Sequence, residues 1–421
     1  MGIGEKVHSL RILVFNNKKI IENYFFMTVL QVLNSFFYLL IYPYLIRALG
    51  GSAYGLYVFA TSISTYFLFV INFGFDLPAT KAIAENFNNE KNLENIISSI
   101  FTSKTYLFLI CLFVFVGMLY TIPVFSKNKS IFFLCFVSVY SFVLFPQWFF
   151  QGMQSMKTVT FIQLGIKLLS LPLIFWLVKK EGDLFSYVSI LTFTNLVGGI
   201  IGFCIIRFKF HLKTYWLPLS SLKIWFKQSQ PFFLSSLAGS LKEYSVPIII
   251  GSFFGMKEVA IYDLANKIVM VPRTIFMSVN AAIFSKLIVN IKNHIVKKII
   301  KIETAISLFM VLLIVVFGRF IIHIMGGNGM EDSYYLSILL AVTIVSWLVV
   351  GAYINFVFIP HNKNKYIAIN QVMAMFSFFI FCIGGLLVYK SIMVLGVAIA
   401  LSGILEIVYC VSITYKNKYL A

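Results

Sequence analysis

The feature that most constrains this chain is a succession of apolar segments, each as long as a helix needs to cross a bilayer. A hydrocarbon layer of ~30 Å takes about 20 residues of α-helix. Apolar stretches of that length lie between polar breaks at about 24–46, 54–73, 98–122, 131–151, 159–178 and 185–206. A second set follows at about 229–253, 260–288, 299–322, 334–359, 366–388 and 392–414. None has the ten-residue alternating pattern of a membrane β-barrel. With 60% of its 421 residues hydrophobic and 12% charged, the chain holds more apolar side chain than a soluble core of its length can bury. The fold class predicted is an all-α membrane protein of about 12 transmembrane helices.

Charge sets the orientation. Of the 34 Lys and Arg residues, with Lys286, Lys301 and Arg319 counted in the segments they border, 21 fall on one set of alternate segments, 8 on the other and 5 within spans. Basic residues concentrate on the inner side of a membrane, so both termini are predicted to be cytoplasmic. The net charge of +19 is thereby a matter of topology, and nucleic acid is not an expected partner. The widest basic connection, Arg207, Lys209, Lys213, Lys223 and Lys227, divides the chain into two lobes of six helices, 1–228 with its cytoplasmic linker and 229–421. It also suits anionic lipid headgroups. The halves share an offset of 205 positions: Gly50, Tyr57, Ala60, Ser35 and Lys81 match Gly255, Tyr262, Ala265, Ser240 and Lys286. An even number of helices between copies makes the repeat parallel. The first apolar run is too long for a cleavable signal and lacks a small-residue cleavage site.

Enzyme chemistry has no foothold in the motifs: the chain lacks a Walker A loop, GxSxG, HExxH and a DxD-like acidic pair. Its five cysteines, Cys111, Cys135, Cys204, Cys382 and Cys410, sit singly in apolar runs, without the spacing of a metal site or disulfide framework. Neither a metal nor a cofactor is expected. What carries information is polar side chains inside the spans, because an ionised group at bilayer centre costs about 2.5–3.5 kcal/mol on insertion scales and turns toward a bundle interior. Thr160, Gln163, Lys167 and Ser170 form one stripe on the fifth helix, and Ser62, Thr65, Asn72 and Asp76 another on the second. Gln31, Asn34 and Tyr38 line the first helix. In the second half, Lys242 lies on the seventh helix, and Asn266, Arg273 and Asn280 recur every seven residues on the eighth. Lys167, Lys242 and Arg273 predict a cationic vestibule suited to an anionic substrate. The bland alternative is that each snorkels or bonds a carbonyl to hold helices together. Lys267, four residues after Asp263, reads equally as a local ion pair or a ligand contact. Asp76 and the lone deep carboxylate Glu406 are the candidates for coupling to an ion.

Three stretches resemble a known family. They are Arg47-Ala48-Leu49-Gly50 with Tyr54-Gly55-Leu56-Tyr57, then Ala79-Thr80-Lys81, and Trp148-Phe149-Phe150-Gln151-Gly152 with Met156. Across its whole length the chain resembles the polysaccharide transporters of the MOP superfamily, which include Wzx-type O-antigen flippases. Lys81 stands where the family often has Arg, and Gln154 where an acidic residue is common. The resemblance implies a MATE-like pair of lobes alternating between inward-open and outward-open states in a bacterial inner membrane. The expected cargo is an undecaprenyl-pyrophosphate-linked repeat unit for O-antigen, capsule or exopolysaccharide. On that reading Lys167, Lys242 and Arg273 attract pyrophosphate or acidic sugars, and Gln31, Asn34, Gln163 and Asn266 hydrogen-bond the glycan. The implied partners are the lipid-linked oligosaccharide, membrane lipids, a polysaccharide polymerase and a chain-length regulator, with the protein a monomer. Three rivals stand beside it: a MATE-type drug or metabolite antiporter, a lipid II flippase, and a nontransporting scaffold for polysaccharide enzymes.

Overall fold

The computed structural model describes residues 18–287, 293–327 and 329–420, and these are almost entirely helical. In chain order the helices are α1 (Lys18–Asn72), α2 (Asp76–Glu85), α3 (Glu90–Thr121), α4 (Pro123–Lys127), α5 (Lys129–Leu144), α6 (Gln147–Gly152) and α7 (Met156–Leu177). They continue as α8 (Leu184–Phe208), α9 (Leu219–Phe253), α10 (Met256–Leu287), α11 (Asn293–Gly326), α12 (Asp332–Tyr353), α13 (Asn364–Val388) and α14 (Ile392–Lys416). A 3-10 turn, Glu181–Asp183, precedes α8, and a π-helical turn, Ile354–Phe358, extends α12.

Among the described residues nine helical stretches are long and apolar enough to cross a membrane, so this is a multi-pass membrane protein. The first two predicted segments count once among the nine, because the chain stays helical on either side of Gly50, whose φ of +73° is the one break inside α1. α9 and α10 are 35 and 32 residues long but carry more charge, including Lys242, Glu243, Asp263, Lys267 and Arg273. Local chemistry sets several ends. The Asn89 side chain accepts a hydrogen bond from Asn92 N at the start of α3, and Ser391 does the same for Met393 N at the start of α14. Such caps satisfy amides that have no partner within the helix.

The chain forms two compact units, Met1–Phe37 with Tyr66–Leu177 and Phe185–Phe233, and Tyr38–Thr65 with Val178–Leu184 and Leu234–Ala421. In the first, the short helix α2 packs on α6. Phe75, Ala79 and Ile83 are fully buried beside Trp148, Phe149 and Phe150, and Thr80 Oγ1 donates to Trp148 O at 3.2 Å. Two of the stretches that carry the family resemblance thus meet in one core.

In the second unit α11 packs on α12, α12 on α10 and α14, and α13 on α14. Val349, Val357, Phe356, Phe358 and Cys410 form one of its buried cores. The turn of α1 around residues 46–57 closes on the end of α11 and the start of α10. Arg47 Nη2 donates to Ile324 O at 2.8 Å, and Tyr42 Oη to Ala260 O at 3.4 Å. A Cβ at Gly55 would stand 1.7 Å from Met256 O, so only glycine allows this approach.

Candidate functional site

The second unit contains a cavity of about 220 Å³ that gathers residues from five helices. Lys242 and Glu243 come from α9, Tyr262, Asn266 and Arg273 from α10, Ser346 and Trp347 from α12, Gln371 from α13, and Glu406 from α14. Asn266 and Arg273 are two helical turns apart, which places them on the same face of α10. Lys242 Nζ donates to Glu406 Oε1 at 2.8 Å, and both side chains are mostly buried, at 19% and 14% exposure. Glu406 is therefore not the lone carboxylate that the sequence suggested. Its partner lies 164 positions away, a separation that no local pattern reveals.

Arg273 has its guanidinium carbon 5.4 Å from the centre of the Trp347 ring. Its Nε is buried without an acceptor among the described residues. A guanidinium on an aromatic face keeps its charge with little loss of packing, and an unused buried donor is a reserve for an incoming acceptor. Two cations and two carboxylates line this cavity, so it is charge-balanced rather than purely cationic.

Nearby, Lys267 bonds the Asp263 carboxylate, completing the local i,i+4 ion pair. Lys267 Nζ also donates to Tyr54 Oη at 2.8 Å, and Tyr54 Oη donates to Asp263 Oδ2 at 3.0 Å. The rings of Tyr38, Tyr42 and Tyr54 surround the ammonium at 5.6, 4.8 and 5.3 Å. This network ties the Tyr38–Tyr54 stretch of α1 to α10.

The remaining candidates belong to the first unit. Lys167 Nζ stands 3.9 Å from the Phe37 ring centre, Gln163 and Asn34 are half-buried, and Gln31 is exposed. Asp76 pairs with Lys104 at 2.7 Å, and Lys104 also donates to Asn72 Oδ1 at 3.0 Å. Lys104 is 3% exposed, and sequence reasoning overlooked it. The signal was present, since the sequence puts Asn72 and Asp76 on one polar stripe and Lys104 is an isolated cation in an apolar run. The structure therefore brings Lys242, Asn266, Arg273 and Glu406 together, while Gln31, Asn34, Asp76, Gln163 and Lys167 occupy the other unit. The side chains of Ser35, Asn280 and Lys286 lie outside the described residues.

A family model described as polysaccharide biosynthesis protein matches residues 20–287. The chain belongs to the polysaccharide biosynthesis protein family. Within it, 292 residues are 26% identical to a protein of Escherichia coli (strain K12) whose name assigns it to O-antigen transport, covering 69% of this chain and 70% of that one. A Shigella dysenteriae protein of the same name is 28% identical over 221 residues, 52% of this chain and 54% of its own length. The fold is similar to that of solved MOP-superfamily and lipid-flippase structures. An inward-facing MATE multidrug resistance transporter aligns with a TM-score of 0.67 at 14% identity, covering 93% of this chain and 99% of its own. The lipid II flippase MurJ in an inward closed conformation aligns at 0.69 and 14% identity, covering 93% and 87%. The family and the names of these relatives place the chain among transporters of polysaccharide biosynthesis rather than among enzymes.

Proposed function

We propose that this protein is a flippase that moves an undecaprenyl-pyrophosphate-linked oligosaccharide repeat unit from the cytoplasmic to the periplasmic leaflet of a bacterial inner membrane. The reading takes twelve crossings in two six-helix lobes, 1–228 and 229–421, with both termini cytoplasmic, and movement by alternating access. It places the protein in the assembly of O-antigen, capsule or exopolysaccharide, alongside a polymerase and a chain-length regulator.

The physical problem is the polar head of the cargo. Each hydroxyl without a partner in hydrocarbon costs several kcal/mol, and an ionised phosphate far more. Even a barrier of ~25 kcal/mol holds spontaneous flipping to about one event in 10⁵–10⁶ seconds.

Arg273 is the observation that carries the reading. Its buried Nε lacks an acceptor among the described residues and its guanidinium lies over Trp347, in a cavity that also holds Asn266 and Lys242. In this account Arg273, Lys242 and Lys167 attract the pyrophosphate or acidic sugars. Gln31, Asn34, Gln163 and Asn266 bond glycan hydroxyls, while the lipid tail stays in the bilayer. Glu406 holds Lys242 satisfied when no cargo is present, and an arriving anion takes its place. Freed from the ion pair, Glu406 then accepts a proton, and Asp76 is the other carboxylate assigned to ion coupling.

The two carboxylates of the cavity also give a MATE-type antiporter of cationic compounds one specific support. Deleting the gene separates the two readings. The flippase reading expects loss of surface polysaccharide with lipid-linked repeat units trapped on the cytoplasmic leaflet. Intact surface polysaccharide together with new sensitivity to cationic drugs would reject it.

A further inference from the structure

A second cavity, an open cleft of about 730 Å³, lies wholly within the first unit between α2, the start of α3 and the start of α9. Its volume falls in the range of small-molecule sites, roughly 300–1,000 Å³. Its chemistry differs from that of the cavity around Arg273. Asn86, Asn92, Asn95 and Gln228 line it with carboxamides, and Trp225 contributes an aromatic surface. Each amide offers two donors and an acceptor oxygen, the complement of a ring of hydroxyl groups. Asn92 Nδ2 donates to Asn86 Oδ1 at 2.7 Å, and Asn86 Nδ2 donates to Ala82 O at 2.9 Å, so this pair is held in a set orientation. The amides of Asn95 and Gln228 have no hydrogen-bond partner among the described residues.

The cleft is also nearly neutral. Lys81 on its wall pairs with Glu85 at 3.7 Å, which leaves little net attraction for a free anion. Leu77 and Ile224, also on its walls, are 64% and 60% exposed. An uncharged polar cleft edged by outward apolar side chains matches an amphiphile with a polyhydroxylated head and a hydrocarbon tail. Both segments that build its rim, 74–97 and 207–228, are ones the distribution of Lys and Arg assigns to the cytoplasmic side.

We infer that this cleft is a loading site for the glycan of the lipid-linked cargo, with Trp225 stacking on a sugar ring and Asn95 and Gln228 bonding its hydroxyls. The inference rests on the flippase reading and adds to it a place where cargo is recognised before it reaches the cavity around Arg273.

The test uses inverted membrane vesicles, which expose the cytoplasmic face, carrying the full chain with Cys204→Ser and either Asn95→Cys or Gln228→Cys. The probe is a membrane-impermeant maleimide. One vesicle type comes from host cells that make the lipid-linked repeat unit, and the other from cells blocked in transferring the first sugar phosphate to the carrier. Labelling of either reporter is expected to be at least several-fold slower in the cargo-containing vesicles, while a Lys213→Cys control labels equally in both. Adding Trp225→Ala should restore fast labelling, and Trp225→Phe should not. Equal rates in the two vesicle types overturn the loading site, whether both are fast or both are slowed by ordinary lipid headgroups. Should that happen while export still requires the chain, only this inference fails. Should export continue without the chain, the flippase reading itself fails.

Discussion

Lys242 on α9 and Glu406 on α14 meet at 2.8 Å, although 164 positions separate them in the chain. Removing one member of a mostly buried ion pair strands the other, at a cost of about 3–5 kcal/mol, whereas replacing both with apolar residues of similar size is often neutral. Lys242→Ala and Glu406→Ala are each expected to lower the thermal midpoint of the detergent-solubilised protein. The double variant Lys242→Met with Glu406→Leu should recover stability without recovering export. Thermal unfolding followed beside an export assay separates the two effects, and recovery of both would assign the pair a purely structural role.

Arg273 makes a different prediction, because its Nε has no acceptor to lose among the described residues. Arg273→Lys keeps the charge but gives up the planar fork and the stacking on Trp347. Export should fall while protein abundance in the membrane stays unchanged. Quantifying surface polysaccharide against the amount of protein checks this, and normal export in Arg273→Lys and Arg273→Ala would remove Arg273 from the cargo site.

Lys104 is almost fully buried and serves two acceptors, Asp76 and Asn72. Asp76→Asn should therefore destabilise the first unit more than Lys104→Met does, since it leaves the buried Lys104 ammonium without its counter-charge, whereas without Lys104 the half-exposed Asp76 can turn to solvent. The loss expected for Lys104→Met is about 1–3 kcal/mol, the cost of leaving partly buried acceptors unmatched. Denaturation of the two variants side by side gives the comparison, and equal stabilities would contradict it.

The contact between the α1 turn and α10 leaves no space at Gly55, where an added Cβ would stand 1.7 Å from Met256 O. Gly55→Ala is expected to force this contact apart, at a cost of about 1–3 kcal/mol typical of overpacking. Tyr54→Phe removes the hydroxyl between Lys267 and Asp263 and should cost less, about 0.5–1.5 kcal/mol for the hydrogen bonding lost. The order of their thermal midpoints checks the contact, and a Gly55→Ala protein as stable as the parent would refute it.

Much of the fold was legible because the bilayer imposes a length on each helix, and helices occupy the segments that the apolar runs predict. The amphipathic helix α2 was harder to see, since at ten residues it is too short for a hydropathy pattern and is held by burial of Ala79 and Ile83 against α6. At the site, spacing placed Asn266 and Arg273 on one face of α10. Spacing gave no access to pairings between distant helices, so Lys242 appeared free, Glu406 appeared alone, and Lys104 went unnoticed beside Asp76. The same blindness made the cavity look cationic, because its carboxylates, like its cations, were read one helix at a time.

Reconstitution of the purified protein into sealed liposomes containing an undecaprenyl-pyrophosphate-linked oligosaccharide tests the transport claim most directly. The quantity measured is the fraction of glycan that an externally added, membrane-impermeant glycosidase cleaves over time. In protein-free liposomes, and in liposomes with the Arg273→Ala variant, cleavage should stop at the outer-leaflet fraction. With the parent protein it should continue toward completion within minutes. A plateau at the outer-leaflet fraction with active, correctly folded parent protein would contradict the account.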